Sequence, residues 1–535
     1  MFSDSRRRFL RNASLASLAA PAGLLRSRLA AGANSVARTQ IYVDSRRTVA
    51  SLDRRLFGSF LEHLGRAIYD GVYDPGSPLS NSQGFRTDVL DLVRKMGVPI
   101  IRYPGGNFAS GYNWLDGIGP VKNRPHVLDK AWDALDTNRF GLDEFMAWCK
   151  AASTEPLMAV NLGNGTPEQA AAQVEYCNIP GGTRWSDLRR ANGRADPYAV
   201  RHWCLGNEMD GPWQIGHTTA QDYGYKAADA AREMRAVDPT LLLTACGSSN
   251  SDLPTYLQWD RDVLEQCYEL VDGLSIHQYY GNSPDQTGGS SAKYLALNLA
   301  MDRRISDTID VCDYVRARKR SPKTLWISFD EWNVWYRKHD FDGHRLVAPH
   351  QLEEVYNLED ALVVGGLLNT LMRRADRVKV ACLAQLVNVI APIMTDAKGL
   401  YLQTIYYPYR WALEFARGAV LDLLVNAPTY DVPDMSPVPY IDAAGTVSAQ
   451  TGETSLFLLN RDLQKAREVE IVWEDRAPGE VRSALILTGD DLKAVNSFQA
   501  PRQVHPDSLQ KPATRGQRTR LELPPRSYSV IQWHV

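Results

Sequence analysis

Two glutamates follow apolar segments that are predicted to form strands of a parallel sheet. Glu208 comes after the run at residues 202–206, and Glu331 comes after the run at residues 324–329. When two carboxyl groups face each other, one can protonate the leaving oxygen of an acetal while the other attacks the carbon or activates water. The sequence therefore indicates hydrolysis of a glycosidic bond.

Residues at other predicted strand ends give the two glutamates unequal roles. The positive charge of Arg102 can keep Glu331 ionised and the hydroxyl of Tyr279 can orient it, so Glu331 is predicted to be the nucleophile. Glu208 has apolar neighbours that would raise its pKa and keep it protonated, so it is predicted to be the acid/base. Asn207 beside it offers an amide to a sugar hydroxyl. The apolar neighbours of Glu208 are Trp203, Met209 and Trp213.

Asp330 competes with Glu331 for the role of nucleophile because the two are adjacent in the chain. Neighbouring residues of a regular strand point to opposite faces of the sheet. If the strand continues through this dipeptide, the side chain of Asp330 should point away from that of Glu331. His277, at another predicted strand end, is expected either to tune Glu208 or to bind a sugar hydroxyl.

Eight short apolar runs alternate with stretches of helical period between residue 57 and about residue 403, which is typical of βα units around a parallel sheet. Eight strands of this kind predict an α/β fold, the (β/α)8 TIM barrel, in which catalytic groups lie at the C-terminal ends of the strands. Both glutamates occupy such positions. The predicted strands are residues 57–61, 99–103, 157–162, 202–206, 241–246, 273–277, 324–329 and 380–386.

Four segments are predicted along the chain. Residues 57–405 form the catalytic barrel, and residues 406–535 form a C-terminal β-sandwich, because short alternating strands there are separated by Pro, Gly and Asp clusters. A strand within residues 34–56 is predicted to join the sandwich. Residues 1–33 resemble a twin-arginine signal peptide, with an arginine cluster, a weakly apolar stretch and small residues at the end. We therefore expect export to the periplasm or the medium.

The composition narrows the classes of partner. The 60 Lys and Arg residues nearly balance the 62 Asp and Glu residues, so no global field favours nucleic acid or an anionic membrane. A neutral substrate fits best, and neither a nucleic-acid partner nor a membrane anchor is expected. The seven cysteines are scattered without a Cys-x-x-Cys pair. They are predicted to be buried thiols, and no metal site is predicted.

Long motifs surround the candidate residues. They read FGSFLEHLGR at 57–66, RYPGGNF at 102–108, LGNEMDGPW at 205–213 and DEWNVWY at 330–336. The chain from about residue 39 to its end thereby resembles glycoside hydrolase family 51. This resemblance implies a retaining, exo-acting α-L-arabinofuranosidase that removes arabinofuranosyl residues from arabinan, arabinoxylan or their oligosaccharides. It also implies a barrel with a β-sandwich, no cofactor, and a homo-oligomer that is often a hexamer.

The same resemblance assigns site residues. Glu208 matches the acid/base and Glu331 the nucleophile, while Trp132 and Trp335 resemble an aromatic rim. The segment at residues 131–138 departs from the family's form, so the preference for the leaving group stays open. Seven further residues match positions that contact the sugar or orient a carboxylate, and they are Glu62, Arg102, Asn107, Asn207, His277, Tyr279 and Gln385.

Two alternatives remain at this stage. One is an enzyme of the same family that acts on β-xylosides or β-glucans, since a retaining carboxylate pair does not determine which sugar fits. The other is a carbohydrate-binding barrel without catalysis, which would need the loss of a carboxylate, although both glutamates are present. Neither the His-Glu-x-x-His nor the Gly-x-Ser-x-Gly motif occurs, so metallohydrolase and serine hydrolase chemistry are disfavoured.

Overall fold

Eight parallel strands close into a barrel in the computed structural model, which describes residues 38–337 and 344–534. Each strand overlaps one of the eight predicted runs, so the predicted barrel is confirmed. The strands pair in chain order, and the ring closes between the last and the first. They are β1 (Gly58–Phe60), β2 (Ile100–Tyr103), β3 (Glu155–Ala159), β4 (His202–Leu205), β5 (Leu242–Cys246), β6 (Gly273–Tyr280), β7 (Trp326–Val334) and β8 (Val378–Leu383).

Strands β6 and β7 run beyond their predicted ends, so His277 and Glu331 lie inside strands. The register of β7 against both neighbouring strands shifts by one residue around Asp330. Such a β-bulge inserts an extra residue into a strand and re-aims its side chains. The Cα partners on either side of the shift are Ser275–Ser328 and His277–Glu331 on β6, and Phe329–Ala381 and Trp332–Leu383 on β8.

Helices follow most barrel strands, and their ends obey ordinary capping rules. Thr166 accepts from the backbone N–H of Gln169 at 3.3 Å and Pro167 occupies the first helical turn. The helix before β2 ends at Gly97, whose φ of +70° suits glycine. The helices are Thr87–Met96, Leu142–Ala152, Pro167–Asn178, Arg184–Ala191, Ala220–Val237, Gln258–Cys267, Pro284–Thr287, Ser291–Tyr294, Asn298–Lys319, Leu358–Arg373 and Tyr406–Phe415.

Shorter elements connect these strands and helices. Two-stranded ladders pair Val127–Asp129 with Ala134–Asp136, Ile393–Thr395 with Leu400–Leu402, and Thr429–Tyr430 with Val438–Pro439. The 3₁₀ turns are Arg54–Phe57, Asn107–Gly111, Trp114–Gly117, Val121–Asn123 and Tyr268–Leu270.

Two further sheets enclose a second apolar core, as expected for the predicted β-sandwich. Trp473 of one sheet and Trp533 of the other meet edge to face, with ring centroids 5.3 Å apart. The strand Thr39–Val43 pairs in parallel with Arg467–Trp473. In sheet order, the strands are Leu424–Asn426, Thr39–Val43, Arg467–Trp473, Arg518–Leu523 and Ala513–Arg515, and then Thr48–Ser51, Ala419–Leu421, Ile441–Ser448, Glu453–Asn460, Ser527–His534, Val481–Leu487 and Asp507–Ser508.

The segment after residue 406 differs from the predicted run of strands, because it begins with the helix Tyr406–Phe415. Its buried residues recur at helical spacing, and Trp411 stacks on Tyr528 with centroids 6.0 Å apart. The aromatic content of this segment, which also suits a strand, concealed the helical period.

All seven cysteines are buried and unbridged, which agrees with their prediction as apolar side chains. Among the described residues, no helix combines the length and apolar character needed to cross a membrane.

Candidate active site

The carboxyl groups of Glu208 and Glu331 come together near the C-terminal ends of β4 and β7. One oxygen of each lies within 4.8 Å of the other, and both lie within that distance of a ring nitrogen of His277. Glu208 is 8% exposed and Glu331 is 7% exposed, so both are nearly withdrawn from water. A sharp turn places Glu208, which has a φ of +44°, directly after Gly206 and Asn207. Holding a non-glycine residue in this left-handed region costs energy, and such strain is typical of functional sites.

Glu331 receives two strong contacts from the residues that the sequence predicted. Arg102 donates from Nη1 to Oε2 at 3.0 Å, and Tyr279 donates its hydroxyl proton to Oε1 at 2.7 Å. Burial raises the pKa of Glu331, and the charge of Glu208 adds to the rise. The positive charges of His277 and Arg102 and the hydrogen bond from Tyr279 oppose it. Because two ionised carboxylates this close repel each other, the pair retains one proton more readily than two separate groups would.

Glu208 lies in a polar setting, which corrects the apolar one predicted for it. His277 Nδ1 lies 2.9 Å from Oε1, and the indole of Trp213 donates to Oε2 at 2.7 Å. Trp213 is half exposed, so it stands at the opening of the site and not in the core. The side chains of Trp203 and Met209 are fully buried. An indole is a large apolar body with one N–H donor, and sequence alone does not show which part faces the carboxyl.

The bulge at Asp330 overturns the expectation that this side chain points away from Glu331. Both carboxylates bind the same guanidinium, because Nε of Arg102 lies 3.3 Å from Asp330 and Nη1 lies 3.0 Å from Glu331. Asp330 is fully buried and also accepts from the hydroxyl of Ser275 at 2.5 Å. Burial by itself would raise the pKa of Asp330, but Arg102, His277 and Ser275 hold it well below its usual range.

His277 sits between three carboxylates. Its Nδ1 faces Glu208 at 2.9 Å and Glu331 at 3.7 Å, and its Nε2 lies 3.5 Å from Asp330. Burial alone would lower the pKa of His277, but these negative charges raise it to about 10. The ring is therefore an imidazolium at neutral pH, with an N–H on each nitrogen.

Glu62 is a third buried glutamate at this site. Its Oε1 accepts from the backbone N–H of Phe108 and from the indole of Trp132, each at 2.9 Å. Gln385 binds the backbone of Glu62, because its side-chain oxygen accepts from the backbone N–H of Glu62 at 2.9 Å. Burial and the charge of Glu331 raise the pKa of Glu62 to about 8, which favours its protonated form at neutral pH.

Glycines line the approach to Glu62. A Cβ atom at Gly105 would lie 3.0 Å from Oε1 of Glu62, and one at Gly106 would lie 2.7 Å from Oε2. Larger residues at these two positions would displace that carboxyl, which accounts for the glycine pair in the RYPGGNF motif.

Two predicted amide residues form a chain with Arg102. Its Nη2 donates to Oδ1 of Asn207 at 2.7 Å, which leaves the Asn207 amide nitrogen pointing toward Asn107 Oδ1 at 3.3 Å and Gln214 Oε1 at 3.4 Å. Arg102 therefore orients Asn207 and Glu331 together. This fixes the amide of Asn207 beside the guanidinium that holds Glu331.

Partly exposed tryptophans border the site. Trp335 packs edge to face on Tyr279, with centroids 5.1 Å apart, and Trp132 lies in the turn between the paired strands Val127–Asp129 and Ala134–Asp136. With Trp213, they supply three aromatic surfaces beside the carboxyl groups, and a sugar ring packs well on such surfaces.

All nine predicted binding residues and both glutamates therefore belong to one connected cluster, and the sequence-based reasoning missed several of its members, among them Asp330, Trp213, Gln214, Ser275 and Phe108. Asp330 was dismissed on strand alternation, Trp213 was taken as apolar packing, and the backbone N–H of Phe108 carries no side-chain signature. The DEW and GPW tripeptides were the clues available for the first two.

The arrangement offers a proton donor and a nucleophile within reach of one acetal. The glutamate pair and His277 also lie close enough to surround a metal ion. A metal ion bound there would have to displace a proton from His277. The cluster suits acid/base and nucleophilic chemistry on a neutral sugar.

Comparison with known proteins gives consistent matches. Residues 92–295 match the family model described as alpha-L-arabinofuranosidase 1 domain, and residues 330–527 match the alpha-L-arabinofuranosidase C-terminal domain. The chain is 46% identical to intracellular exo-alpha-(1->5)-L-arabinofuranosidase 1 of Bacillus subtilis, over 92% of this chain and 99% of that protein. It is 43% identical to the exo-alpha-(1->6)-L-arabinofuranosidase of Bifidobacterium longum, over 92% and 97%.

The fold matches solved structures equally well. A family 51 alpha-L-arabinofuranosidase from Bifidobacterium longum superposes with a TM-score of 0.89 at 39% identity, covering 93% of this chain and 99% of that one.

The same comparisons contradict the predicted export to the periplasm or the medium. The Bacillus subtilis protein and several other relatives are named intracellular enzymes. The predicted signal peptide, residues 1–33, lies outside the described residues. An arginine cluster before an Ala- and Ser-rich stretch is a compositional pattern, and it was insufficient to establish a secretion signal.

Proposed function

The chain belongs to glycoside hydrolase family 51, and we propose that it removes terminal, non-reducing α-L-arabinofuranosyl residues with retention of configuration. The arabinofuranosidase activity follows from its relatives. The retaining mechanism, the exo mode and the roles of individual residues are the proposal.

One observation supports the mechanism above all: an oxygen of Glu208 and an oxygen of Glu331 lie within 4.8 Å of each other. Retaining enzymes hold their carboxyl groups about 5 to 5.5 Å apart, while inverting enzymes leave about 6.5 to 9.5 Å so that a water molecule fits between. A separation this short favours direct attack by a carboxylate over attack by an interposed water.

The contacts of the two glutamates support their assignment. Glu331 accepts hydrogen bonds from Arg102 and Tyr279, and these donors stabilise its anionic form against the burial that raises its pKa. Glu208 is the proposed proton donor, because it lies beside the exposed indole of Trp213, where a leaving group can depart.

The reaction proceeds in two balanced steps. In the first, an oxygen of Glu331 bonds to the anomeric carbon, the glycosidic C–O bond breaks, and the proton of Glu208 passes to the leaving oxygen. In the second, Glu208 takes a proton from water, the water oxygen attacks the anomeric carbon, and the electron pair of the ester bond returns to Glu331.

The proposed substrates are arabinan, arabinoxylan and oligosaccharides derived from them. Relatives named for (1->5) and for (1->6) linkages both align along nearly the whole chain. Hydrolysis should therefore be measured on a panel of arabino-oligosaccharides that differ in linkage. We also propose a homo-oligomer, as the family resemblance implies, and light scattering coupled to size exclusion measures its mass.

The decisive experiment follows the first sugar released from an aryl α-L-arabinofuranoside by proton NMR. Retention predicts that α-arabinofuranose, or its methyl α-glycoside when methanol is present, appears before mutarotation. Initial release of the β-anomer would overturn the retaining mechanism. Aryl β-xyloside and β-glucoside assayed alongside test the sugar, and faster hydrolysis of either one than of the arabinofuranoside would overturn the substrate.

A further inference from the structure

Asp330 takes part in neither of the two chemical steps, yet several side chains of the site contact its carboxylate. It has no exposed surface. Cys204 donates its thiol proton to Oδ2 at 3.1 Å, and Ser275 donates to Oδ1 at 2.5 Å. Arg102 lies 3.3 Å away from it. A buried charge with this many partners is retained at a high desolvation cost, which indicates a specific use.

His277 connects Asp330 to the reacting groups. On one side of the ring, Nε2 lies 3.2 Å from the hydroxyl of Ser275 and 3.5 Å from Asp330. On the other side, Nδ1 faces Glu208 at 2.9 Å and Glu331 at 3.7 Å. One nitrogen therefore faces the buried anion directly and through Ser275, and the other contacts Glu208 and lies within ion-pair distance of Glu331.

We propose that Asp330 is a positioning residue, which fixes the His277 ring so that its Nδ1 stays within hydrogen-bond distance of Glu208 and within ion-pair distance of Glu331 as the negative charge passes between them. The proposal rests on the retaining mechanism above, in which that charge changes place. The bulge in β7 makes it possible, because a regular strand would turn Asp330 away from both His277 and Arg102.

The charge balance of the cluster supports this role. Before the first step, the anions Asp330 and Glu331 balance the cations Arg102 and His277, and Glu208 is neutral. After it, Glu331 is an uncharged ester and Glu208 is the anion, so the sum is again zero. A neutral His277 would leave an unbalanced negative charge in a buried site at both stages.

Several groups set the charge of the His277 ring. The carboxylates of Glu331, Asp330 and Glu208 favour the imidazolium, while burial opposes it. Arg304 donates to the backbone carbonyl of His277 at 3.4 Å. The groups that face Asp330 are Arg102, His277, Ser275 and the thiol of Cys204, with the buried thiols of Cys246 and Cys382 nearby.

The first test is the protonation state of His277 in the unaltered enzyme. Histidine labelled with ¹⁵N in the ring, measured by solid-state NMR on sedimented protein, distinguishes an imidazolium from a neutral ring. His277→Gln assigns the signal among the ten histidines. We expect an imidazolium at pH 8, and a neutral ring at pH 7 would overturn the proposal whether or not any variant folds.

The second test removes the charge of Asp330 with little change in shape. Asp330→Asn should lower kcat/KM by at least about tenfold and should let His277 lose its proton at a lower pH, so the alkaline limb of the pH profile moves toward neutrality. An unchanged His277 titration in this variant would overturn the proposal.

Asp360→Asn is the matched control, since Asp360 is also fully buried and pairs with Arg337 at 2.9 Å outside the cluster. It should lower the melting temperature but leave the His277 signal and the alkaline limb in place. The same shift in both variants would mean a general structural effect and would also overturn the proposal. The anomer assay does not depend on His277. A failure of the proposed role of Asp330 can therefore be distinguished from a failure of the retaining mechanism.

Discussion

The hydroxyl of Tyr279, on β6, donates a hydrogen bond of 2.7 Å to Oε1 of Glu331, on the adjacent strand β7. Arg102 approaches the other oxygen of the same carboxylate from β2. The two donors together fix the plane of the nucleophile. Trp335 packs against the ring of Tyr279 and restrains its position in turn.

Tyr279→Phe removes this hydrogen bond while it keeps the ring. A hydrogen bond to a charged acceptor contributes about 1.5 to 3 kcal/mol, so kcat/KM on an aryl α-L-arabinofuranoside should fall by about 10- to 100-fold. Tyr409→Phe is the control, because the hydroxyl of Tyr409 is buried and binds the carbonyl groups of Phe57 and Gly58. It should lower the melting temperature without this kinetic loss, and equal kinetic losses would contradict the role of Tyr279.

Glu331→Ala removes the proposed nucleophile, so we expect kcat to fall by more than about 10⁴-fold. Intact-protein mass spectrometry with a slowly hydrolysed 2-fluoro-arabinofuranoside should detect one covalent adduct on the unaltered enzyme. The variant should form no such adduct. An adduct on the variant would assign the nucleophile to another residue, with Asp330 the first to test.

Glu208→Ala removes the proposed acid/base and should show a different pattern. Substrates with poor leaving groups need protonation most, so their hydrolysis should slow far more than that of an activated aryl glycoside. Azide needs no general base and should therefore restore turnover of the activated substrate as an arabinofuranosyl azide. Loss that is independent of the leaving group and insensitive to azide would argue against this role.

Glu62→Gln tests the proton that Glu62 holds. Burial and the charge of Glu331 raise its folded-state pKa to about 8 from the ordinary glutamate value of 4.5, so between these values the folded protein binds a proton that the unfolded chain has released. Its contribution to stability is complete below about pH 4.5 and is lost as pH rises toward 8, by at most about 1.4 kcal/mol per pH unit.

Glutamine accepts the same hydrogen bonds but does not titrate, so Glu62→Gln should lose less stability than the unaltered protein between pH 5.5 and 7.5. Unfolding measured at both pH values gives the difference. Glu155→Gln, at an exposed carboxyl on β3, should match the unaltered protein's pH dependence. An equal pH dependence in Glu62→Gln would show that Glu62 is already ionised at neutral pH.

The sequence by itself determined the eight barrel strands and the glutamates at two of their ends. These features are local, since apolar runs of strand length and the residues that follow them can be read directly from the chain. Because the topology of a parallel barrel brings all C-terminal strand ends to one face, residues as distant as Glu62 and Gln385 could be assigned to the same site. The motifs then indicated the family.

Only the tertiary structure decided how the charges within the site are arranged. The bulge at Asp330 depends on the register of β7 against two other strands, and no pattern in β7 alone shows an extra residue. Likewise, the contact of Trp213 with Glu208 depends on the path of a loop. Electrostatic coupling falls off over a few ångströms, so the protonation of His277 and Glu62 is decided by distances between distant parts of the chain, which composition and spacing do not supply.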